Sequence, residues 1–227
     1  MQVRAKLSEG VRRAGTHDRT RRTYDRLSRW YDLLTLGQEN KLRAAALDLL
    51  ALQPNERVLE VGYGTGSALV PMGDAVGDHG RVWGVDLSPG MARVARRRLR
   101  STRCASTIVT ACGDALHLPL LAASMDVLFL SFTLELLEGA EIALALAECR
   151  RVLRRDGRMG LVCLSSEAGS SRANSLYGWA HARWPAVLDC RPIRPDDWLK
   201  ASAFEVGARR RMSLWGLGVE ALVCRPR

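Results

Sequence analysis

The stretch that decides the fold is 58–99, VLEVGYGTGSALVPMGDAVGDHGRVWGVDLSPGMARVARRRL. It opens with an apolar run and breaks on Gly62, Gly64 and Gly66. A second apolar run, from Val82, closes on Asp86. Short apolar runs bounded by turn residues predict buried strands, and the segment after each predicts a helix. Pro71 gives the first of these helices a late start or a kink. Ser88 is placed to N-cap the second, with Pro89 in its first turn. Strands alternating with helices predict a mostly parallel sheet covered on both faces.

In an open parallel sheet, ligands sit beyond the carboxyl ends of the strands, where strand order reverses. Glycines there let the backbone bend sharply and leave no Cβ to block a ligand. An acid ending the next strand, about twenty residues on, can accept both hydroxyls of a ribose. Asp86 has that position, and Asp114 ends a third strand. Three strand ends in a row point to a nucleoside-type cofactor; the bland alternative is turn glycines and helix-capping acids. The spacing here is G-x-G-x-G, whereas a dinucleotide site favours G-x-G-x-x-G. Glu60, just before the glycines, suits a ligand with a cationic amine and no phosphate, such as S-adenosylmethionine.

Working outward, 106–115 reads as the third strand and its exit loop, and 125–132 as the fourth strand. A helix is expected over 140–154, and 156–165 turns into the fifth strand. Segments 171–185 and 194–203 look helical. Two strands, 204–215 and 218–226, are close enough to pair as a terminal hairpin. Before the core, Tyr24, Leu27, Tyr31 and Leu34 fall at helical spacing with arginines between them. That segment, 17–34, reads as one or two amphipathic helices, and 39–54 as a further helix stopped before Pro54. The first either packs over the core with a solvated basic face or forms a lid that touches membrane through its arginines. The expected fold is α/β, Rossmann-like and doubly wound. It has a mostly parallel seven-stranded sheet, an antiparallel C-terminal hairpin and an N-terminal helical lid. The lid is residues 1–53 and the core 54–227, one domain overall.

Composition sets the class. The chain has 227 residues, 47% of them hydrophobic, which is globular rather than disordered. The formal net charge is +10, carried almost wholly by arginine, with lysine only at positions 6, 41 and 200. Such a charge favours anionic surfaces, phospholipid or nucleic acid. The six cysteines, Cys104, Cys112, Cys149, Cys163, Cys190 and Cys224, form no C-x-x-C pair, so neither a metal cluster nor a disulfide framework is expected. Most read as small buried residues in a reducing, cytoplasmic setting. The first residues lack the apolar core of a signal peptide. The apolar stretch 116–137 contains Pro119 and Asp126, so it reads as a loop and a buried strand rather than a membrane span.

The segments VLEVGYGTG, VWGVDLSPGMARVAR, GDALHLPLLAASMDVLFLSFTLELL and ECRRVLRRDGRMGLVCLS resemble, in order, the successive motifs of class I S-adenosylmethionine-dependent methyltransferases. YDRLSRWYDLLT, DALHLPLLAASMDVL and WLKASAFEVGARRRMSLWGLGVEALVC resemble the branch that acts in ubiquinone and menaquinone biosynthesis. Bacterial phospholipid N-methyltransferases share the YDLL and VLEVGYGTG style. The resemblance implies S-adenosylmethionine as cofactor and a small lipophilic acceptor of quinone-precursor type. It implies that Glu60 and the loop Gly62, Tyr63, Gly64, Thr65 and Gly66 face the methionine part. Asp86 would bind the ribose, Leu87 would pack on the adenine, and Met91 would line the same pocket. Asp114 would accept from the adenine amine, with Gly113 and Ala115 beside it. Ser131 would lie near the reacting methyl. Tyr63 is bulky where small residues are common, and RRDG stands where KPGG is usual. The segment NSLYGWAHARWPAVLDCRPI departs from the quinone enzymes, which leaves the acceptor open.

An acceptor oxygen or carbon can need a general base. The candidates are His181, Glu135, Tyr31 and Tyr24. His181 has a suitable pKa range and also reads as a surface helix residue. Glu135 either lines the acceptor pocket or packs behind it, and His117 reads as structural. Tyr177, Trp179 and Trp184 either wall an apolar pocket or pack. The alternatives within the enzyme class are a phospholipid or natural-product methyltransferase, then an RNA methyltransferase. A nucleic-acid partner is not expected: no RNA-binding motif is appended, and SFTL stands where Asn-Pro-Pro-Tyr would follow the fourth strand. A cofactor-binding scaffold without catalysis has less need of the intact glycines and acids. Peripheral contact with an anionic membrane and a homodimer both stay open.

Overall fold

The alternation of apolar runs and helical segments builds one sheet flanked by helices. The computed structural model describes residues 31–169 and 191–227. The strands are β1 (Arg57–Val61), β2 (Arg81–Asp86), β3 (Ile108–Cys112), β4 (Met125–Ser131), β5 (Leu153–Gly169), β6 (Phe204–Leu214) and β7 (Leu217–Pro226). Their spatial order is β3-β2-β1-β4-β5-β7-β6. The first five strands run parallel, and β7 pairs antiparallel with both β5 and β6. Strand order therefore reverses between β1 and β4, which places the crevice at their carboxyl ends.

The helices are α1 (Tyr31–Leu50), α2 (Leu69–Val76), α3 (Pro89–Leu99), α4 (Gly139–Val152) and α5 (Pro195–Ala201). Side chains alternate across the strands, so each strand feeds two cores. Val127 and Phe129 of β4 join Val58, Val82 and the buried faces of α1, α2 and α3. Leu128 and Leu130 join Leu59, Val85, Met159 and the α4 residues Ile142, Ala145 and Cys149. The central strands are apolar along their length because both faces are covered. Cys104, Cys149, Cys163 and Cys224 are buried and free, as small apolar residues are expected to be, and Cys112 is exposed.

Local signals act where the sequence places them. Ser88 accepts the Met91 N–H at 3.2 Å and caps α3. Pro71 falls in the first turn of α2, where its missing N–H costs nothing, and the helix starts late, at Leu69. No helix stands between β3 and β4; the loop there folds Leu118 into the core.

One expectation changes. From Tyr31 on, the two helices read over 17–34 and 39–54 are a single helix, α1. Its second half buries Leu42, Ala46 and Leu50 at i, i+4 and i+8 against the sheet. Residues 1–30 and 170–190, which include Tyr24, Tyr177, Trp179, His181, Trp184 and Cys190, lie outside the described residues.

Arg158 of β5 fixes the end of α1. Its Nε donates to Leu50 O at 2.8 Å and its Nη2 to Ala51 O at 2.8 Å. Its other contacts are with the Glu56 carboxylate at 2.6 and 3.0 Å. One guanidinium thus joins the last turn of α1, the entry to β1 and the start of β5. Replacing it by Met removes the cation from a part-buried carboxylate and the guanidinium donors from Leu50 O and Ala51 O, leaving Gln53 N–H on Glu56 and Gln53 Nε2 on Ala51 O. We expect Arg158→Met to lower unfolding stability by about 1–3 kcal/mol, read from urea denaturation. An unchanged midpoint contradicts this role.

Candidate active site

The carboxyl ends of β1, β2, β3 and β4 converge on one crevice. The glycine loop leaves β1 with Gly62, Gly64 and Gly66 at φ of +75°, +53° and +74°, a left-handed conformation that glycine adopts without strain. At Gly62 a Cβ would come within 2.5 Å of Thr133 Oγ1, so the close approach of the β4 exit excludes any side chain. At Gly64 a Cβ would meet nothing within 4 Å, so the loop backbone there faces open space. The loop is closed by Gly66 N donating to Tyr63 O at 2.8 Å. It is held from outside by Arg98 of α3, whose Nη1 donates to Thr65 O at 2.9 Å and to Thr65 Oγ1 at 3.0 Å.

Asp86 joins this loop to the next. Its Oδ2 accepts Gly64 N–H at 2.7 Å and its Oδ1 accepts Ser88 N–H at 2.8 Å. Each carboxylate oxygen keeps a further lone pair. Burial pushes the Asp86 carboxyl up from its ordinary range, and the two N–H groups oppose that shift. The Asp86 carbonyl accepts Gly113 N–H at 2.9 Å, which draws in the β3 exit. There Asp114 Oδ1 accepts Leu116 N–H at 2.9 Å. Leu87, Gly113, Asp114 and Ala115 are half-buried around this junction. Met91 is buried, with its N–H on Ser88.

Among the described residues, four buried side-chain polar atoms lack a hydrogen-bond partner: Glu60 Oε2, Tyr63 Oη, Ser131 Oγ and Glu135 Oε2. All four belong to residues at or just beyond the carboxyl ends of β1 and β4. A buried orphan polar atom is costly, so such a cluster marks a place where a polar ligand completes the site. Glu60 is 2% exposed. Burial pushes its carboxyl up to about 8, against the Arg43 guanidinium, and Asp86 adds to the rise. An ammonium group beside it would favour the charged form. Glu135, 1% exposed, accepts Leu164 N–H at 2.7 Å through Oε1. Burial lifts it to about 8 as well, opposed by that hydrogen bond. The Tyr63 ring is packed against Gly84 of β2, where a Cβ would fall 2.7 Å from its Cδ1.

Of the residues read from sequence, Glu60, Gly62, Tyr63, Gly64, Thr65, Gly66, Asp86, Leu87, Met91, Gly113, Asp114, Ala115 and Ser131 are all at these four strand ends. Glu135 follows β4 in a short turn, Leu134–Leu136, while Tyr31 begins α1. Three residues were not legible. Thr133 donates to Val61 O at 3.1 Å or to Ser131 O at 3.2 Å beneath Gly62. Arg98 belongs to a basic helix end and carries no signal of its long reach. Phe132 sits at φ +52°, a strained position for a bulky residue directly after Ser131.

The two raised carboxyls set a pH dependence. A group that holds its proton more tightly when folded destabilises the fold as pH rises from its unfolded to its folded pKa. For Glu60 and Glu135 that window is 4.5 to about 8. Unfolding stability of the ligand-free protein should therefore fall across this range and then level off. Glu60→Gln with Glu135→Gln should flatten that slope in chemical denaturation at each pH; an equal slope in the double variant contradicts it.

The comparisons agree with this geometry. A methyltransferase-domain family model matches residues 58–157. The chain is 28% identical to a demethylmenaquinone methyltransferase of Lactobacillus johnsonii, over 71% of this chain and 66% of the relative. It is 32% identical to nocamycin O-methyltransferase of Saccharothrix syringae, over 63% of this chain and 49% of the relative. The chain spans 35 to 66% of the length of the first curated relatives it matches. The fold superposes on geranyl diphosphate C-methyltransferase from Streptomyces coelicolor with a TM-score of 0.66 at 14% identity, covering 83% of this chain and 81% of that one. Residues 58–157 thus match a methyltransferase-domain family model, and the chain is similar there to the demethylmenaquinone enzymes.

Proposed function

We propose that the protein methylates a small, lipophilic acceptor of quinone-precursor type, using S-adenosylmethionine held at the four strand ends. The observation that carries the reading is the set of unpartnered buried atoms around an open glycine loop. They fit this cofactor: Glu60 is free to meet the amine, Asp86 retains lone pairs for the ribose hydroxyls, and Asp114 and Leu87 flank the place for adenine. When bound, the cofactor supplies an electrophilic methyl on a sulfonium, which an acceptor lone pair takes as the C–S bond breaks.

The chain's own task is then to orient and to exclude water. Arg98 and Asp86 fix the loop before any ligand arrives. Ser131 and the strained Phe132 set the floor beside the reacting centre. Glu135 is our candidate for the polar group facing the acceptor. Protonated below about 8, it donates through Oε2; ionised above, it accepts the proton that an oxygen or carbon acceptor loses. The residues ahead of the packed half of α1 would close over the acceptor as a lid, and a membrane-peripheral location would suit a lipophilic substrate. Among the described residues no helix is long and apolar enough to cross a membrane. The similarity to nocamycin O-methyltransferase supports a second acceptor class, a natural-product hydroxyl.

Transfer of labelled methyl from S-adenosylmethionine to a demethylated quinone, a polyketide-like enol and a phospholipid headgroup tests the reading. We expect transfer to the quinone, with kcat/KM rising with pH toward 8. Glu135→Gln should lower kcat/KM by about 10–100-fold and remove that rise. Transfer only to the phospholipid, or a pH profile unchanged in Glu135→Gln, contradicts it.

A further inference from the structure

The β6–β7 connection is a two-residue turn. Leu214 pairs with Leu217 and leaves Trp215 and Gly216 at the tip. Their φ angles are +51° and +84°. Successive left-handed residues make the hairpin geometry that selects Asn-Gly. A tryptophan there is strained, and this one is 62% exposed. Neither backbone preference nor burial accounts for it, since folding would be served better by asparagine.

The tip also has a defined height. Val162 of β5 pairs with Ser131 of β4 on one side and with Ala221 of β7 on the other. From Ala221, β7 extends to Leu217, four residues farther toward the carboxyl end of the sheet. At about 3.4 Å per residue the hairpin rises about 14 Å above the level of Ser131. It stands at the same end of the sheet as the cofactor loops, on the strands beyond β5. The hairpin is pressed against the end of β5: a Cβ on Gly218 would fall 1.6 Å from Ala168 O. Trp215 is therefore carried on a supported strand pair at the carboxyl end of the sheet.

We propose that Trp215 anchors the protein, by the carboxyl end of its sheet, on an anionic lipid bilayer. One protruding ring is far too small for a stable protein interface, which takes about 800 Å² per partner. A bilayer interface, by contrast, accepts a single amphipathic ring at headgroup level. The formal net charge of +10 supplies long-range attraction to anionic headgroups. That attraction belongs to the whole chain, although near the tip Arg210 meets, among the described residues, only the Ala45 carbonyl, at 3.2 Å, while its neighbours are ion-paired. Arg209 and Arg211 share Glu220, and Arg194 meets Glu167 and Asp197. The anchoring rests on the hairpin and the charge of the chain and does not require the proposed acceptor.

Sedimentation with vesicles of equal parts phosphatidylglycerol and phosphatidylcholine tests this, on the full chain without cofactor or acceptor. Wild type should bind them and leave pure phosphatidylcholine largely unbound. Trp215→Asn should bind at least about tenfold more weakly, because the interfacial ring is gone. The same variant should keep or raise the thermal midpoint, since asparagine suits the turn, which separates anchoring from folding. Binding equal to wild type in Trp215→Asn, or no vesicle binding by wild type, overturns the proposal. Binding of single-stranded RNA in place of vesicles, with Trp215→Asn unaffected, overturns it equally.

Discussion

The Asp86 carboxylate, accepting Gly64 N–H and Ser88 N–H on its two oxygens, is the constraint around which the site is arranged. It ties the glycine loop after β1 to the start of α3 after β2. Its backbone carbonyl then draws in the exit of β3 through Gly113 N–H. Three strand ends are joined through a single residue. Their separation follows from the sheet itself, where β1 and β2 pair in register from Arg57 to Val61. A ligand entering here meets a prepared surface, so little ordering cost falls on binding.

Around that constraint, the protein carries polar atoms that its own fold does not satisfy. Glu60 Oε2 and Ser131 Oγ are buried without partners at the ends of the two strands that flank the reversal of strand order. Such atoms weaken a fold in isolation and strengthen it when a complementary ligand pairs with them. The left-handed Phe132 adds local strain at the same place. Unsatisfied polarity and strain gathered at one end of an otherwise well-paired sheet are what a binding site leaves in a structure without its ligand.

Local chemistry was legible in the sequence, and long-range contact was not. The short apolar runs marked β1, β2 and β4, Ser88 announced its own cap, and the spacing of 204–226 announced a hairpin. Each signal is confined to a few neighbouring residues. Arg98 reaching Thr65, Thr133 filling the space left by Gly62, and Arg158 joining α1 to β1 each span dozens of positions, so no periodicity betrays them. The continuity of α1 was missed for a related reason: the stretch 35–38, TLGQ, fell between the two helices read, while packing of Leu42, Ala46 and Leu50 on the sheet holds the helix beyond it. The left-handed Trp215 was hidden because a turn is read from Gly216, and tryptophan is not a turn residue.

The central claim is that the strand-end crevice is an S-adenosylmethionine site organised by Asp86. Calorimetric titration of wild type and Asp86→Ala with S-adenosylmethionine, and with NADH as a competitor class, tests it most directly. We expect micromolar binding of S-adenosylmethionine to wild type, at least about tenfold weaker binding to Asp86→Ala, and no comparable binding of NADH. Equal affinity in the two proteins, or NADH bound as tightly as S-adenosylmethionine, would contradict it.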